Sequence, residues 1–268
     1  MTAKLESIPK NKNHISANDG GDNPLIYEAG TNKNLTPNEV QGKGATYDQL
    51  TYSDPSLVGY WPFDEGSGIT TKDYSGNEHD GILCNGSTFG VQGPTWTTGK
   101  VGSALSFDGA DDYVRIEDVS ALSPTSAFTI AYWYKFNNPL INPVILNKRD
   151  GSNHEYQVSI VSGNQLQVCI LGTGGGCYYS SLYTEDTNWH YLVATFNDAQ
   201  NFIRAFRDNI LIISVATIAT FSDTPAPLFL GGYAGNLGNQ YPGLIDEVRI
   251  YNRALSDSEI KVLYDATK

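Results

Sequence analysis

From Leu57 onward the chain is built of short β-favouring runs, each closed by a cluster of Gly, Asn, Asp or Pro. Runs of about four to eight residues punctuated in this way suit antiparallel strands joined by tight turns, as in sandwiches and jelly rolls. Phe128-Thr-Ile-Ala-Tyr-Trp-Tyr-Lys-Phe136 is the most informative run. Alternation puts Phe128, Ile130, Tyr132, Tyr134 and Phe136 on one face and Thr129, Ala131, Trp133 and Lys135 on the other. Bulk on both faces predicts a central strand. Further strands are expected at Val58–Phe63, Ser103–Phe107, Asp112–Ile116, Tyr156–Ile160, Gln165–Ile170, His190–Phe196, Phe202–Phe206, Leu228–Leu230 and Leu244–Tyr251. One helix is expected, at the C-terminus. There Ser256-Asp-Ser-Glu259 reads as a capping box ahead of Ile260, Leu263 and Tyr264 at helical spacing.

Residues 1–53 have a different texture, rich in Asn, Gly, Lys and Pro, with a few apolar residues that hold no period. The expected organisation is therefore an irregular extension over 1–53 and one β-sandwich domain over 54–268. With 17 Lys and Arg against 29 Asp and Glu, a net charge of −12, the chain repels nucleic acid and anionic membranes. It suits a hard cation. No apolar stretch is long enough to cross a membrane as a helix. The start, Met1-Thr-Ala-Lys-Leu-Glu6, lacks an apolar signal core, so nothing in it directs export, and either a signal was removed or the sequence is a piece of a longer chain. The three cysteines, Cys84, Cys169 and Cys177, leave one over in any pairing and establish no compartment. Cys169 and Cys177 flank a Gly-rich hairpin tip, where facing positions could reach bridging distance.

Several blocks in order carry a resemblance: Leu57-Val-Gly-Tyr-Trp-Pro-Phe-Asp-Glu-Gly-Ser-Gly68, Asp73-Tyr-Ser-Gly-Asn77 with Asp80-Gly81, and Gly99-Lys-Val-Gly-Ser-Ala-Leu-Ser-Phe-Asp-Gly109. Asp112-Tyr-Val114, Phe128-Thr-Ile130, Trp189-His190 and Gly243-Leu-Ile-Asp-Glu-Val-Arg-Ile-Tyr-Asn-Arg-Ala-Leu-Ser256 complete it. Over about residues 57–264 the chain resembles the bacterial laminin-G-like, concanavalin A-like jelly-roll family. The resemblance implies an all-β fold, a two-sheet antiparallel jelly-roll sandwich with one short C-terminal helix. It also implies a module attached to secreted enzymes, adhesins and surface proteins, hence an extracellular or cell-surface setting. Residues 1–45, with Leu5-Glu-Ser-Ile-Pro9, Asp19-Gly-Gly-Asp22 and Tyr27-Glu-Ala-Gly-Thr-Asn32, look like the C-terminal region of a type IV pilin or pseudopilin. That second likeness implies display on a surface filament, although the apolar helix such proteins assemble through is absent from this sequence.

In sandwich relatives that include laminarinase-type hydrolases, a structural calcium ion pins the first and last strands. The resemblance carries that ion to Asp246, then Asp64 and the Gly109 carbonyl, hard oxygen donors of the kind calcium selects. The plainer alternative makes Asp108, Asp111 and Asp112 turn formers and has Asp246 pair with Arg249 or cap a loop. Carbohydrate binding needs aromatic platforms beside hydroxyl-bonding groups. Tyr156, Tyr178 and Tyr179, with Tyr233, Asn239 and Tyr241 in the Gly/Asn-rich loop, are the candidates, against the alternative that they are ordinary strand residues. Catalysis finds less support. The Glu-x-Asp-x-x-Glu pattern of laminarinase-like enzymes does not occur, and the adjacent Asp246 and Glu247 should point to opposite faces of a strand. The expected function is a non-catalytic carbohydrate-binding or adhesion module stabilised by calcium, with a glycan or surface protein as partner. A protein-adhesion domain on a pilin-like filament and a polysaccharide-degrading enzyme are the alternatives.

Overall fold

The computed structural model describes residues 44–86, 88–89, 93–137, 142–150, 153–161, 165–170, 172, 174–181, 186–197, 199–217, 219, 221, 223–232 and 239–268. The pilin-like segment and Tyr233 lie outside them, apart from Gly44 and Ala45.

Among the described residues the strands run β1 (Leu57–Trp61), β2 (Thr70–Thr71), β3 (Gly81–Asn85), β4 (Thr88–Phe89), β5 (Thr95–Thr98) and β6 (Ser103–Asp108). They continue as β7 (Asp112–Ile116), β8 (Ala127–Phe136), β9 (Val144–Asp150), β10 (Asn153–Val161), β11 (Gln165–Ile170) and β12 (Gly176–Tyr179). The last are β13 (Trp189–Asn197), β14 (Phe202–Arg207), β15 (Ile210–Ala216), β16 (Leu228–Leu230) and β17 (Pro242–Tyr251), before helix α1 (Asp257–Thr267). One sheet has the order β15-β14-β13-β8-β17-β6-β5, with β1 also on β17; the other runs β12-β11-β10-β9-β16-β7-β3-β2, with β4 on β3. All pairings are antiparallel. The two-sheet all-β sandwich expected from the punctuated β-runs is the fold.

β8 is central, and its two faces divide as the alternation predicts. Phe128, Ile130, Tyr132, Tyr134 and Phe136 enter the core between the sheets, while Ala131 and Trp133 join a second apolar cluster on the outer side. That cluster is roofed by α1, which sends Ile260 and Leu263 into it. Tyr264 stacks on Trp133 at 5.8 Å between ring centroids, and Trp133 Nε1 donates to Thr267 Oγ1 at 2.9 Å. The helix starts where Ser256 and Glu259 form the expected capping box. Residues 44–56 complete the roof: Leu50 is buried in the same cluster, and Tyr251 donates its hydroxyl to the Leu50 carbonyl at 3.1 Å. Arg253 clamps this segment to α1, bonding Ser56 Oγ, Asp54 and both carboxylate oxygens of Glu259. The tail of the expected extension is thus bound to the sandwich. Among the described residues, α1 and residues 44–56 cover the outer face of the sheet that contains β8.

His190, on β13, donates from Nδ1 to Asp208 Oδ2 at 2.7 Å and from Nε2 to Asp186 Oδ1 at 3.0 Å. A neutral imidazole has one N–H, so carboxylates at both nitrogens select the imidazolium. Burial pulls the His190 pKa down, but the two carboxylates outweigh it and hold it above the ordinary imidazole value. A raised folded pKa means the stabilisation is complete below the unfolded value of about 6.5 and is lost as pH rises through the folded one. Melting temperature should therefore fall from pH 6 to pH 9, with about 1 kcal/mol at stake given the solvent exposure of Asp186. Thermal melts of His190→Gln should be flatter over the same window. An equal slope in that variant would place the titrating group elsewhere.

Candidate functional site

Two places concentrate chemistry, and the first is the outer face of the second sheet at β10, β11 and β12. The strand registers align Gln157 with Cys169 and Cys177, and Ser159 with Gln167 and Tyr179, across β10, β11 and β12. Residues paired in register share a face, so these side chains form one polar patch opposite the core-facing Val158, Leu166 and Val168. They are joined in a hydrogen-bonded chain. Gln157 Nε2 donates to Ser159 Oγ at 3.2 Å, Ser159 Oγ donates to Gln167 Oε1 at 2.8 Å, and Gln167 Nε2 donates to the Tyr179 hydroxyl at 2.9 Å. Tyr179 is half exposed, at 50%. Its hydroxyl accepts from Gln167 and keeps its own proton to donate. The Cys169–Cys177 disulfide ties β11 to β12 beside it. The rest of this face is closed over Cys84, Tyr113 and Phe229, a small apolar cluster.

The tyrosines named from sequence separate sharply here. Among the described ones, Tyr179 alone offers an open ring. Tyr178, its neighbour, faces inward against the core, with its hydroxyl bonded to Thr217 Oγ1. Tyr156 and Tyr241 are corrected: both are fully buried and present no face to a ligand. Tyr156 donates to the Leu122 carbonyl at 3.0 Å, and Tyr241 to the Lys135 carbonyl at 2.8 Å, so each phenol satisfies a main-chain acceptor at the margin of the core. Asn239 is exposed, and its carbonyl accepts from the Val144 amide at 2.9 Å. Gln157, Ser159 and Gln167 were missed as site residues. Their alternation with Val158, Leu166 and Val168 was the signal that could have found them.

The second place is a buried carboxylate centre on the outer side of the covered sheet. Asp246 is wholly buried. Its Oδ2 accepts from the Lys100 and Val101 amides at 2.8 and 3.0 Å, while Oδ1 has no hydrogen-bond partner among the described residues. Asp64 Oδ1 accepts from the Ser103 amide at 2.8 Å, so the turn from Gly99 to Ser103 is laid against both acids. Its glycines are required. A Cβ on Gly99 would stand 2.6 Å from Asp246 Oδ2, and one on Gly102, at φ +56°, would stand 2.1 Å from Asp64 Oδ1. Burial, then the charge of Glu247, pushes the Asp246 carboxyl well above the usual carboxylate range, and the Asp64 charge adds to this.

The expectation that Asp246 and Glu247 point to opposite faces is also corrected. The β8–β17 register shifts between Asp246, opposite Trp133, and Arg249, opposite Ala131. Glu247 occupies that bulge with φ 57°, and an extra residue in one strand turns its neighbours onto the same side. Glu247 therefore also lies under the roof. There its Oε2 pairs with Arg249 Nη2 at 2.7 Å and its Oε1 accepts from the Tyr60 hydroxyl at 3.0 Å. So Glu247 is the partner of Arg249, and Asp246 caps the Gly99–Ser103 turn.

Gly109 does not join this centre. Its turn abuts Pro242, and the β6–β17 register pairs Pro242 with Asp108 and Ile245 with Leu105. That puts Gly109 about 13 Å along the strand from Asp246, at about 3.3 Å per residue. Beside Gly109 the carboxylates of Asp108, Asp111 and Asp112 lie within 4.8 Å of one another. Asp108 Oδ1 accepts from the Ala110 amide at 2.8 Å and Asp112 Oδ2 from the Asp108 amide at 3.0 Å, which is turn-forming work.

Among solved structures, the chain is similar to domain 4 of AbnA, a GH43 extracellular arabinanase from Geobacillus stearothermophilus, in complex with arabinotriose. The TM-score is 0.62 at 20% identity, over 80% of this chain and 98% of that one. It is also similar to the binding domain of Paraclostridial Mosquitocidal Protein 1, with TM-score 0.63 and 19% identity over 79% of this chain and 52% of that one. A third similar structure is of botulinum neurotoxin type C, whose cell entry is described as dependent on two ganglioside molecules. There the TM-score is 0.61 and the identity 14%, over 80% of this chain and 51% of that one. The chain thus spans about half the length of the toxin structures it matches. At these identities the likeness establishes the fold. No curated protein matches the chain. Residues 108–261, more than half of the chain, match the model of the concanavalin A-like lectin/glucanases superfamily, and the chain belongs to that superfamily.

Proposed function

We propose that this protein is a non-catalytic glycan-binding module that works outside the cell and engages its ligand at Tyr179, on the outer face of the β10–β11–β12 sheet. The observation that carries the reading is the half-exposed Tyr179 at the end of the Gln157–Ser159–Gln167 chain. A sugar ring offers an apolar C–H face to stack on an aromatic and equatorial hydroxyls to bond with amides, and this patch supplies both kinds of contact. The amides are oriented by one another, which lowers the cost of ordering them on binding. The likeness to an arabinotriose-bound arabinanase domain and to toxin binding domains supports a binding role. The disulfide supports an oxidising compartment. A non-catalytic role is supported by where the acids lie. Asp246 and Glu247 share a face of the other sheet and both are buried, Asp246 against the Gly99–Ser103 turn and Glu247 against Tyr60 and Arg249, away from any sugar on Tyr179.

Calcium belongs to the same proposal as a stabiliser. Asp246 brings a buried oxygen with no partner among the described residues and Asp64 a second carboxylate whose charge it feels, which fits a hard cation. Its contribution would be neutralisation of charge between β1 and β17.

A printed array of plant, bacterial and animal glycans tests the binding role. Wild-type protein should give a defined set of positives, and Tyr179→Ala should weaken them about tenfold, equivalent to roughly 1.4 kcal/mol. A blank array, or positives unchanged in Tyr179→Ala, would overturn the reading.

A further inference from the structure

We propose a second saccharide site on the covered sheet, in the cleft between β13, β14 and the first turn of α1, with Phe202 as its stacking platform. The cleft has a volume of about 620 Å³ and is walled on one side by Ser256–Glu259. Its floor is the outer face of the sheet, where the register pairs Thr195 with Arg204 and Asn197 with Phe202. Phe202 is 40% exposed. An aromatic left open beside amides is the same combination that marks Tyr179 on the opposite sheet.

The charges in the cleft are already matched. Arg204 bonds Asp257 through both terminal nitrogens, at 2.5 and 2.9 Å, and Glu259 is held by Arg253. A charged ligand would have to break one of these pairs. A neutral, hydroxyl-rich one would not. Hydrogen-bonding capacity remains for such a ligand. Asn197 Oδ1 accepts from the Gln200 amide at 3.2 Å, which fixes the Asn197 side chain. Its NH2 group and the Gln200 side-chain amide have no protein partner among the described residues. The ligand this chemistry selects is an uncharged oligosaccharide segment that lays a ring on Phe202 and bonds its hydroxyls to Asn197 and Gln200.

This inference rests on the reading of the module as a saccharide binder and extends it. Tyr179 and Phe202 lie on the outer faces of opposing sheets, so one molecule would hold two chains of a polysaccharide at once. Avidity and cross-linking then follow without any new contact.

The test uses the whole chain on the same glycan array, as wild type, Tyr179→Ala, Phe202→Ala and the double variant. Each is first checked for an unchanged thermal melt. Gln200→Ala, on an exposed turn, serves as a second probe of the cleft that leaves the ring in place. We expect Phe202→Ala and Gln200→Ala to weaken by about tenfold a set of positives that Tyr179→Ala retains, and the double variant to lose the remainder. Profiles of Phe202→Ala and Gln200→Ala that both match wild type would overturn the second site alone, leaving the Tyr179 face standing. A blank array for the wild type would overturn both.

Discussion

Replacing Arg249 by Met should lower the unfolding free energy by about 3–5 kcal/mol, the cost expected when one partner of a buried ion pair is removed. The guanidinium is wholly buried. It pairs with Glu247 at 2.7 Å, donates to the Tyr47 hydroxyl at 2.9 Å, and lies over the Tyr60 ring at 4.2 Å. Without it, Glu247 and Asp246 would remain as two buried acids, and Tyr47 would lose one of the contacts that tie residues 44–56 to β17. Met is close to Arg in volume, so cavity formation contributes little. The double variant Glu247→Leu/Arg249→Met should recover most of the loss, because a well-packed apolar pair removes the desolvated charges together. Urea unfolding midpoints of the two variants read this directly. A single variant within about 1 kcal/mol of wild type would mean that water reaches the pair, as at a surface bridge.

What could be read from the sequence was what neighbouring residues decide among themselves. The capping box at Ser256 and Glu259 forms because both partners lie within one turn. β8 was placed with both faces correct because alternation alone sets direction. Readings failed where a distant element decides. β9 was not foreseen, since Asn147, Lys148 and Arg149 break its apolar run. Lys148 is buried there because Asp118 and Glu155 each meet its Nζ at 2.8 Å. Tyr156 and Tyr241 looked like sugar platforms because a phenol suits either a surface or a core margin. Only the position of the Leu122 and Lys135 carbonyls settles which. The Glu247 bulge likewise has no local signature, yet it decides which acids share a face. Of the proposed binding patch, Tyr179 was legible by type. The Gln157–Ser159–Gln167 chain needed the cross-strand register.

Calcium should raise the melting temperature of this protein, and Asp246→Asn should abolish the rise. Arg249 pairs with Glu247, whereas Asp246 accepts only from main-chain amides among the described residues, so its charge is left over beside that of Glu247, with Asp64 adding to the repulsion. Asp246 can relieve this in two ways, by taking a proton or by binding a cation. A free calcium concentration about a hundredfold above the dissociation constant stabilises the fold by about 2.7 kcal/mol. For a domain of this size that corresponds to about 5–10 °C. Melts at pH 7 in millimolar calcium and in excess chelator measure the shift. Asp246→Asn keeps the acceptor for the Lys100 and Val101 amides and removes the charge, so it should melt at one temperature in both buffers. Asp112→Asn, in the separate cluster beside Gly109, should retain the full shift, which assigns the ion to one acidic site over the other. If chelator leaves the wild-type melt in place, Asp246 is relieved by its proton instead. Its stabilising state would then be the neutral acid, and raising the pH through its elevated pKa would weaken the fold in wild type and not in Asp246→Asn.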